Sequence, residues 1–388
     1  MTNAALPLSG VKIIEIGTMI TAPLAASILA EMGAEVIKVE RAGSGDPFRA
    51  FMDGSDSPHF RAYNKNKASV TIDLQSDEGK SALRALLSDA DVLLENFRPG
   101  VMDRLGFSAE TVARDYPNLV YCSITGFGAD GPYKSRPAYD SVALALSGIA
   151  NLYVDPNAPG LAGPTISDNI TGMYAAQGIM AALIGRHREN AVKRVEVNML
   201  EASIAFIPDS FEMAAAGLKV DRLTRVRASQ SYAMTCADNR TIAVHLSSAE
   251  KFWEALVAAI DDPKVANDPR FSSRKKRYEN YEDLQAALAD VFTTRPLSEW
   301  VERLSDNDVP FSPILATEEV KNDPHVEHLG VFHHMREATG ATRTMINSPL
   351  RFDGHRPPIR RIPPALGADN EEVLAPDPNC MGKGKTDG

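Results

Sequence analysis

One acidic residue lies where it could attack a substrate as a nucleophile. Residues 163–172 form a Gly-Pro turn that leads to Ser167 and Asp168, after which a long helix is predicted. Backbone N–H groups and the positive end of the dipole at a helix start favour negative charge, so Asp168 is predicted to stay ionised and able to attack. Serine or aspartate before a helix is more often a plain N-cap, and the local pattern alone favours that interpretation.

Other chemistries have weaker support. A dinucleotide site needs a glycine-rich turn after the first strand, but residues 17–22 contain only Gly17, and the bulky Met19 and Ile20 would obstruct a pyrophosphate. Glu40, at the end of the second strand, is then expected to be an ion-pair or strand-end residue rather than a ribose ligand. The eight histidines are scattered, and no metalloprotease or serine-hydrolase motif is present. We expect no metal site.

The elements that must position Asp168 follow an alternating β/α order. A strand at 11–17, a helix at 22–32 that ends at Gly33, and a strand at 34–40 make a βαβ unit, so a parallel sheet is predicted. Further segments continue this order into an α/β fold of Rossmann-like character. They are strands at 69–74, 92–96, 119–124 and 194–198, and helices at 79–90, 109–115, 170–186 and 199–218.

The 388 residues suggest two domains. We predict a large domain over 1–224, a smaller α+β domain over 225–325, and a segment over 326–388 that returns to the large domain and ends in a polar tail. The net charge of −10 argues against a general nucleic-acid or membrane surface. Cys122, Cys236 and Cys380 show no disulfide or zinc spacing, which fits a cytoplasmic protein.

Several segments together carry a resemblance that covers residues 8–374. They are EVIKVER (35–41), GSGD (43–46), NKNK (64–67), ENFRPG (95–100), MDRLG (102–106), SITG (123–126), RPAYD (136–140) and SDNITG (167–172). In this order and spacing the sequence resembles the class III coenzyme A (CoA) transferases, which include formyl-CoA transferase, carnitine CoA-transferase and α-methylacyl-CoA racemase. The resemblance implies a Rossmann-like large domain built from both chain ends and an interlocked homodimer.

The resemblance also implies the site. Asp168 matches the family's catalytic aspartate, which attacks an acyl-CoA thioester, and the protein would use acyl-CoA and a small carboxylic acid without a prosthetic group. CoA-binding positions would be Arg41 and Arg104, with Lys65 and Lys67 as weaker phosphate candidates and Asn96 and Phe97 beside the adenosine. Residues matched near the thioester and pantetheine are Thr18, Thr21, Tyr139 and Met199.

The same motifs bear on the type of reaction. Racemases of the family carry a histidine where this chain has Tyr139, and a tyrosine with a pKa near 10 is a poor proton shuttle at neutral pH. We therefore expect a transferase rather than an acyl-CoA racemase or epimerase. Two further hypotheses are a non-catalytic CoA-binding protein and an NAD enzyme.

The small-domain sequence bears on the acid. Residues 225–232 read RVRASQSY, without the glycine run of the oxalate-using branch, so oxalate is doubtful. The segment is closer to the dicarboxylate branch, such as succinyl-CoA:glutarate transferase. Arg225 or Arg227 could pair with the distal carboxylate of a dicarboxylate such as succinate, unless both are linker charges.

Overall fold

The computed structural model describes residues 5–52, 57–186, 188, 191–247, 249–336 and 342–374. Cys380 and the predicted polar tail lie outside these residues. The chain packs as two units: a large unit of residues 1–150, 161–208 and 331–388, and a small unit of residues 151–160 and 209–330. The predicted domain boundaries at residues 224 and 325 remain a proposal.

Eleven strands are present in the described residues. In chain order they are β1 Lys12–Glu15, β2 Glu35–Glu40, β3 Lys67–Thr71, β4 Val92–Glu95, β5 Val120–Thr125, β6 Arg194–Asn198, β7 Ser231–Thr235, β8 Thr241–His245, β9 Phe311–Pro313, β10 Phe332–Arg336 and β11 Thr342–Ile346. The first six form one parallel sheet in the order β3-β2-β1-β4-β5-β6. This is the doubly wound order of Rossmann-like folds, so the predicted α/β class of the large unit is confirmed.

Seventeen α-helices connect these strands in the described residues. They are α1 Thr21–Glu31, α2 Pro58–Tyr63, α3 Asp77–Ser88, α4 Val101–Leu105, α5 Ala109–Asp115, α6 Asp140–Leu146, α7 Ser167–Gly185, α8 Met199–Phe206, α9 Pro208–Ala215, α10 Thr224–Ser229, α11 Ala249–Ile260, α12 Pro263–Ala266, α13 Arg274–Glu279, α14 Tyr281–Phe292, α15 Leu297–Asp306, α16 Pro324–Leu329 and α17 Asn370–Val373. Short 3₁₀ turns lie at Pro47–Ala50, Ala150–Leu152 and Val320–Asn322.

The central strands are apolar on both sides because helices cover both faces of the sheet. Ile13, which is fully buried, packs into one cluster with α1 and α7, while Ile14 packs into the other with α3 and α4. The first strand therefore contributes side chains to two hydrophobic layers, one on each face of the sheet. Gly33 has a positive φ of 110°, which suits the predicted stop of α1 because glycine tolerates that conformation.

The predicted helix over residues 199–218 is wrong in one respect. It is two helices, α8 and α9, because the chain bends at Ile207 and α9 starts with Pro208. Proline lacks an N–H donor, so it interrupts a helix interior but is tolerated in a first turn. Apolar periodicity continues across the bend, which is why the pattern predicts one helix.

The small unit has its own core. Strands β7, β8 and β9 form an antiparallel sheet, and α11, α14 and α15 contribute buried residues to the same cluster. Trp300 stacks on Phe292 with ring centroids 4.4 Å apart. Its indole N–H donates to the Phe292 carbonyl at 2.9 Å.

The chain returns to the large unit at residue 331, and the segment after β11 reaches β3, which forms an edge of the parallel sheet. Residues 356–365 form no helix or strand. The N–H of Ser69 donates to Asp369 at 2.8 Å, and the N–H of Thr71 donates to Asn370 at the same distance. The returning chain thus satisfies backbone donors of an edge strand. In the described part of the chain, no helix is long and apolar enough to cross a membrane.

Candidate active site

A cavity of about 550 Å³ lies at the carboxyl ends of the parallel strands. Its lining comes from the turn after β1, the loop after β4, the end of β5 and the first residue after β6. Strand order reverses between β1 and β4, and ligands of doubly wound sheets bind at such a switch point. We call it the Asp168 cavity. The predicted site residues that line it are Thr18, Thr21, Asn96, Phe97, Tyr139, Asp168 and Met199.

Asp168 is the second residue of α7 rather than its cap. The N-cap residue, Ile166, makes no side-chain cap. Instead Asp140, at the start of α6, accepts the N–H of Ile166 at 2.9 Å and that of Asp168 at 3.2 Å through Oδ1. The local N-cap interpretation of Ser167 and Asp168 is therefore wrong. Asp140 belongs to a quoted motif, but sequence reasoning gave it no role.

The charge state of Asp168 also differs from the prediction. Burial raises the pKa of its carboxyl to about 7, and the neighbouring Asp140 charge acts in the same direction. Desolvation and a like charge both favour the neutral form, and here they outweigh the helix dipole. Asp168 is thus close to half ionised near pH 7, a state that suits a group that must gain and lose negative charge.

The helix that carries Asp168 lies against α1. A Cβ built on Gly172 would stand 2.8 Å from the carbonyl oxygen of Thr21 and 3.1 Å from Leu24. Only glycine fits at this approach, which confirms that small residues in the predicted helix let a neighbouring backbone come close. The start of α1 and the first turn of α7 are therefore held side by side.

The turn between β1 and α1 is fixed by Asn96. Its Oδ1 accepts the N–H of Thr18 at 2.9 Å, and its Nδ2 donates to the Thr18 carbonyl at 2.8 Å and to the Thr21 hydroxyl at 2.9 Å. Asn96 therefore positions the turn besides lining the cavity. Among the described residues, the N–H groups of Ile20 and Thr21 donate to no protein acceptor, as expected at a helix start.

Tyr139 lies in extended backbone just before α6 and is 64% exposed. A second tyrosine, Tyr63, lies close to Asp168: its side chain shares a hydrogen bond with Asn169, and its pKa is raised by burial and by the Asp168 charge. Sequence reasoning missed Tyr63, since nothing in the NKNK motif beside it points to Asp168. It also missed the cavity-lining cations Arg98, Lys134 and Arg136.

A second cavity, of about 560 Å³, adjoins the first. Thr18, Pro47 and Phe97 line both. We call it the Arg41 cavity, because Arg41 lines it at the end of β2 together with residues 72–75. Arg104 lies on α4 between the lining residues Val101 and Leu105, with an exposed side chain.

The two predicted lysines do not reach either cavity. The Lys67 ammonium is fully buried and donates to Glu15 at 2.7 Å, to the Pro23 carbonyl at 2.8 Å and to Asn64 at 2.9 Å. Lys65 is 8% exposed and pairs with Glu31 at 2.7 Å. These placements do not support the predicted phosphate contacts, because the ammonium donors already have protein acceptors.

The two arginines proposed for a distal carboxylate lie in the small unit. Arg225 is exposed on α10. Arg227, on the same helix, pairs with Glu282 at 3.3 Å. Among the described residues, no group of three or more acidic, histidine or cysteine side chains could hold a metal ion.

Known proteins resemble this chain in sequence and in fold. The acetyl-CoA:oxalate CoA-transferase of Acetobacter aceti is 31% identical, over 92% of this chain and 91% of the relative. The human succinyl-CoA:glutarate CoA-transferase is 29% identical, over 98% of this chain and 89% of the relative. The crystal structure of Rv3272 from Mycobacterium tuberculosis is 30% identical with a TM-score of 0.84, covering 96% of this chain and 100% of that chain.

A CAIB/BAIF family protein from Brucella suis, 26% identical, has a TM-score of 0.85 and covers 96% of this chain and 99% of its own. The model of the family described as CoA-transferase family III matches residues 8–370. This match covers nearly the whole chain and agrees with the predicted resemblance. The protein is therefore an enzyme of the CoA-transferase family III.

Proposed function

We propose that the enzyme moves CoA from an acyl-CoA to a small dicarboxylic acid, with Asp168 as the covalent nucleophile. The observation that carries this proposal is the placement of Asp168. It lines a cavity at the switch point of the sheet, partly buried, beside a second acid and without an ion-pair partner among the described residues. Such a carboxylate is suited to chemistry rather than to holding the fold.

The proposed reaction has four steps, each exchanging one activated acyl group for another. The Asp168 carboxylate attacks the donor thioester, forming a mixed anhydride and releasing the CoA thiolate. The thiolate attacks the aspartyl carbonyl, which gives an aspartyl-CoA thioester and frees the donor acid. The acceptor carboxylate then attacks this thioester, and the returning thiolate takes the acceptor acyl group and regenerates Asp168. Covalent catalysis of this kind replaces one difficult step by easier ones.

Backbone donors near Asp168 support this chemistry. Each attack produces a tetrahedral oxyanion, which needs hydrogen-bond donors that are already in place. The N–H groups of Ile20 and Thr21 belong to residues that line the Asp168 cavity and have no protein acceptor in the described chain. We propose that one or both bind the oxyanion.

The two adjoining cavities support the proposed CoA position. CoA is long and carries phosphates at its nucleotide end, and arginine suits phosphate contacts. We place the nucleotide in the Arg41 cavity, with Arg41 and Arg104 beside it, and the thioester in the Asp168 cavity. Thr18 and Phe97 line both cavities, so the pantetheine would pass over them toward Met199.

The dicarboxylic acceptor rests on relatives and on charge. The relatives named above use oxalate or glutarate, and both acids carry a second carboxylate. Lys134 and Arg136 line the Asp168 cavity, and the role of Arg225 and Arg227 stays a prediction from the sequence. A succinyl-CoA-like donor is part of the same proposal.

The homodimer and the cytoplasmic location are also proposals. Large apolar side chains of α6, α7 and α8 are exposed, a pattern typical of surfaces that bind protein; they are Val142, Leu146, Met173, Tyr174, Ile184, Ile204 and Phe206. We propose that a second copy covers them. Sedimentation at micromolar concentration would show a dimer, and a monomer would contradict it. The free thiols of Cys122 and Cys236 are consistent with a reducing compartment.

The transferase proposal is tested by incubating the enzyme with succinyl-CoA and a pool of dicarboxylic acids and following new acyl-CoAs by mass spectrometry. Hydroxylamine added during turnover should modify Asp168 alone, and Asp168→Asn should give neither product nor modification. Modification at another residue would refute the assignment. Deuterium wash-in at Cα of a branched acyl-CoA, without any acceptor acid, would instead establish the racemase.

A further inference from the structure

Met19 has an unusual backbone in the turn between β1 and α1. Its φ is 65°, in the left-handed region that residues with a Cβ avoid by about tenfold or more. Met19 and its neighbours Thr18, Ile20 and Thr21 line the Asp168 cavity. A conformation that is disfavoured locally must be stabilised by its surroundings.

Asp46 supplies that stabilisation from beneath the turn. Its Oδ1 accepts the N–H of Met19 at 3.1 Å and the N–H of Phe48 at 2.9 Å. Its own N–H donates to Glu40 at 3.0 Å. Asp46 is 1% exposed, so water does not compete for these bonds.

Lys38 connects Asp46 to the other side of the turn. Its ammonium lies 2.9 Å from Asp46 Oδ2, and it donates to the Gly17 carbonyl at 2.8 Å and to Glu15 at 2.8 Å. The Lys38 ammonium therefore contacts both the Gly17 carbonyl, two residues before Met19, and the Asp46 carboxylate, which accepts the Met19 N–H. Burial opposes its charge, but Glu15 and Asp46 together raise the pKa of Lys38, so it stays charged.

We propose that Asp46, held by Lys38, is a positioning residue that keeps Met19 left-handed and thereby sets the backbone of Thr18–Thr21 in the Asp168 cavity. This inference rests on the proposed function only where it concerns turnover. Lys38 lines neither cavity. Asp46 lines the Arg41 cavity, but both of its carboxylate oxygens face protein partners in the turn. Loss of Asp46 would misplace the turn during the reaction, and we expect it to lower kcat more than it raises KM.

The first experiment is a double-mutant cycle, measured by steady-state kinetics on the full chain. Asp46→Ala should lower kcat at least about tenfold in the parent, because Met19 then leaves the left-handed region. In the Met19→Gly background the same change should lower kcat less than about threefold, since glycine adopts a positive φ without support. Equal losses in the two backgrounds would overturn the proposal, because a purely structural defect is independent of residue 19.

A second set of variants avoids the buried pair and so does not depend on Asp46→Ala folding. Met19→Asn should retain more kcat than Met19→Val, because asparagine tolerates the left-handed region and β-branched residues do not. A higher kcat for the valine variant would contradict the proposal. Ser69→Ala is the matched control for Asp46→Ala, because it removes a buried hydrogen bond to Glu40 without removing a contact of the turn.

Hydrogen exchange gives a readout that needs no activity. In Asp46→Ala, the amide of Met19 should exchange at least about tenfold faster than in the parent, while Ser69→Ala should leave it unchanged. Unchanged exchange in Asp46→Ala would overturn the inference even for an enzyme of another activity. If the parent exchanges CoA with no acid but the amide loses its protection, the proposed function fails and the positioning role stands.

Discussion

Two groups of buried or partly buried acids in the large unit differ in whether a cation pairs with them. Under the turn after β1, Glu15 shares its two oxygens between Lys38 at 2.8 Å and Lys67 at 2.7 Å. Nearby, Glu40 pairs with Arg49 at 2.7 Å. Burial opposes the charge of Glu40, but the Arg49 and Lys38 cations lower its pKa below the ordinary value. Both acids therefore lie in ion pairs that hold the fold.

At the Asp168 cavity the acids have no such partner among the described residues. Asp140 and Asp168 stand together, and burial and the Asp140 charge raise the pKa of Asp168 to about 7. Glu95, at the end of β4, resembles them: burial raises its pKa to about 7, although the Phe97 N–H and the Tyr121 hydroxyl donate to it. The difference teaches that burial alone does not decide the role of an acid, whereas the presence of a cation does.

The largest expected effect is on Asp168 itself. Asp168→Asn should lower the rate of CoA exchange about 10⁴-fold, because the proposed nucleophile is lost. The melting temperature at pH 8 should stay the same or rise, since the parent must keep a carboxylate charged against its surroundings. Steady-state exchange and calorimetry measure the two. More than a tenth of the parent activity would contradict the comparison.

The paired group should respond in the opposite way. Glu15→Gln leaves Lys38 and Lys67 without a shared anion, and breaking a buried ion pair on one side costs about 3–5 kcal/mol of unfolding free energy. Urea titration measures this loss. Glu35→Gln, on the exposed end of β2, is the matched control and should stay within about 0.5 kcal/mol. Equal, small losses would show that the ion pairs do not support the fold.

Glu95 allows the comparison to be tested through stability. Because its folded pKa of about 7 exceeds its ordinary value, the folded state binds more protons between these limits, and the free energy of unfolding falls as pH rises. Glu95→Gln should remove that fall. The free energy of unfolding of the variant, relative to that of the parent, should therefore rise by about 2 kcal/mol between pH 4.5 and 7. Parallel pH curves in urea titrations would count against an unpaired acid at this position.

The smallest expected effect concerns Asp140. In the proposed mechanism the Asp168 carboxylate must be ionised to attack, so kcat/KM for the acyl-CoA should rise with pH through about 7. Asparagine at residue 140 keeps the oxygen that accepts the two N–H groups but removes the charge. Asp140→Asn should therefore shift this rise about half a pH unit lower. Asp115→Asn, on the exposed end of α5, should not move it, and an unmoved profile in both variants would assign the raised pKa to burial alone.

Much of the parallel sheet is predictable from sequence. Apolar runs such as residues 92–96 and stops such as Gly33 mark strands and helix ends, and β6 and α5 have the predicted bounds. Local patterns fail where a residue fits the apolar period of a helix but cannot form the helix hydrogen bonds. Pro208 breaks a helix whose apolar period continues through it, and the period alone does not register the missing donor.

The candidate site is predictable only as far as its motifs. The motifs correctly group Thr18, Tyr139 and Asp168, which line one cavity. A motif does not distinguish a lysine that faces solvent from one inside the fold, and for that reason the sequence suggests a phosphate contact for Lys67. That distinction depends on the register between β2 and β3, which sets Lys38 beside Ser69 and brings Lys67 over Glu15. The cap from Asp140 to α7 likewise needs two helices to meet.

The returning segment has a consequence for how the chain is made. Ser69 receives its acceptor from a residue 300 positions later, so the edge strand β3 stays uncovered while the ribosome completes the rest of the chain. Residues 209–330 of the small unit are all synthesised earlier and can fold as a unit before the large one is finished. Proteolysis of stalled nascent chains should therefore find the small unit protected first. During synthesis, the part of the enzyme that begins first would be completed last.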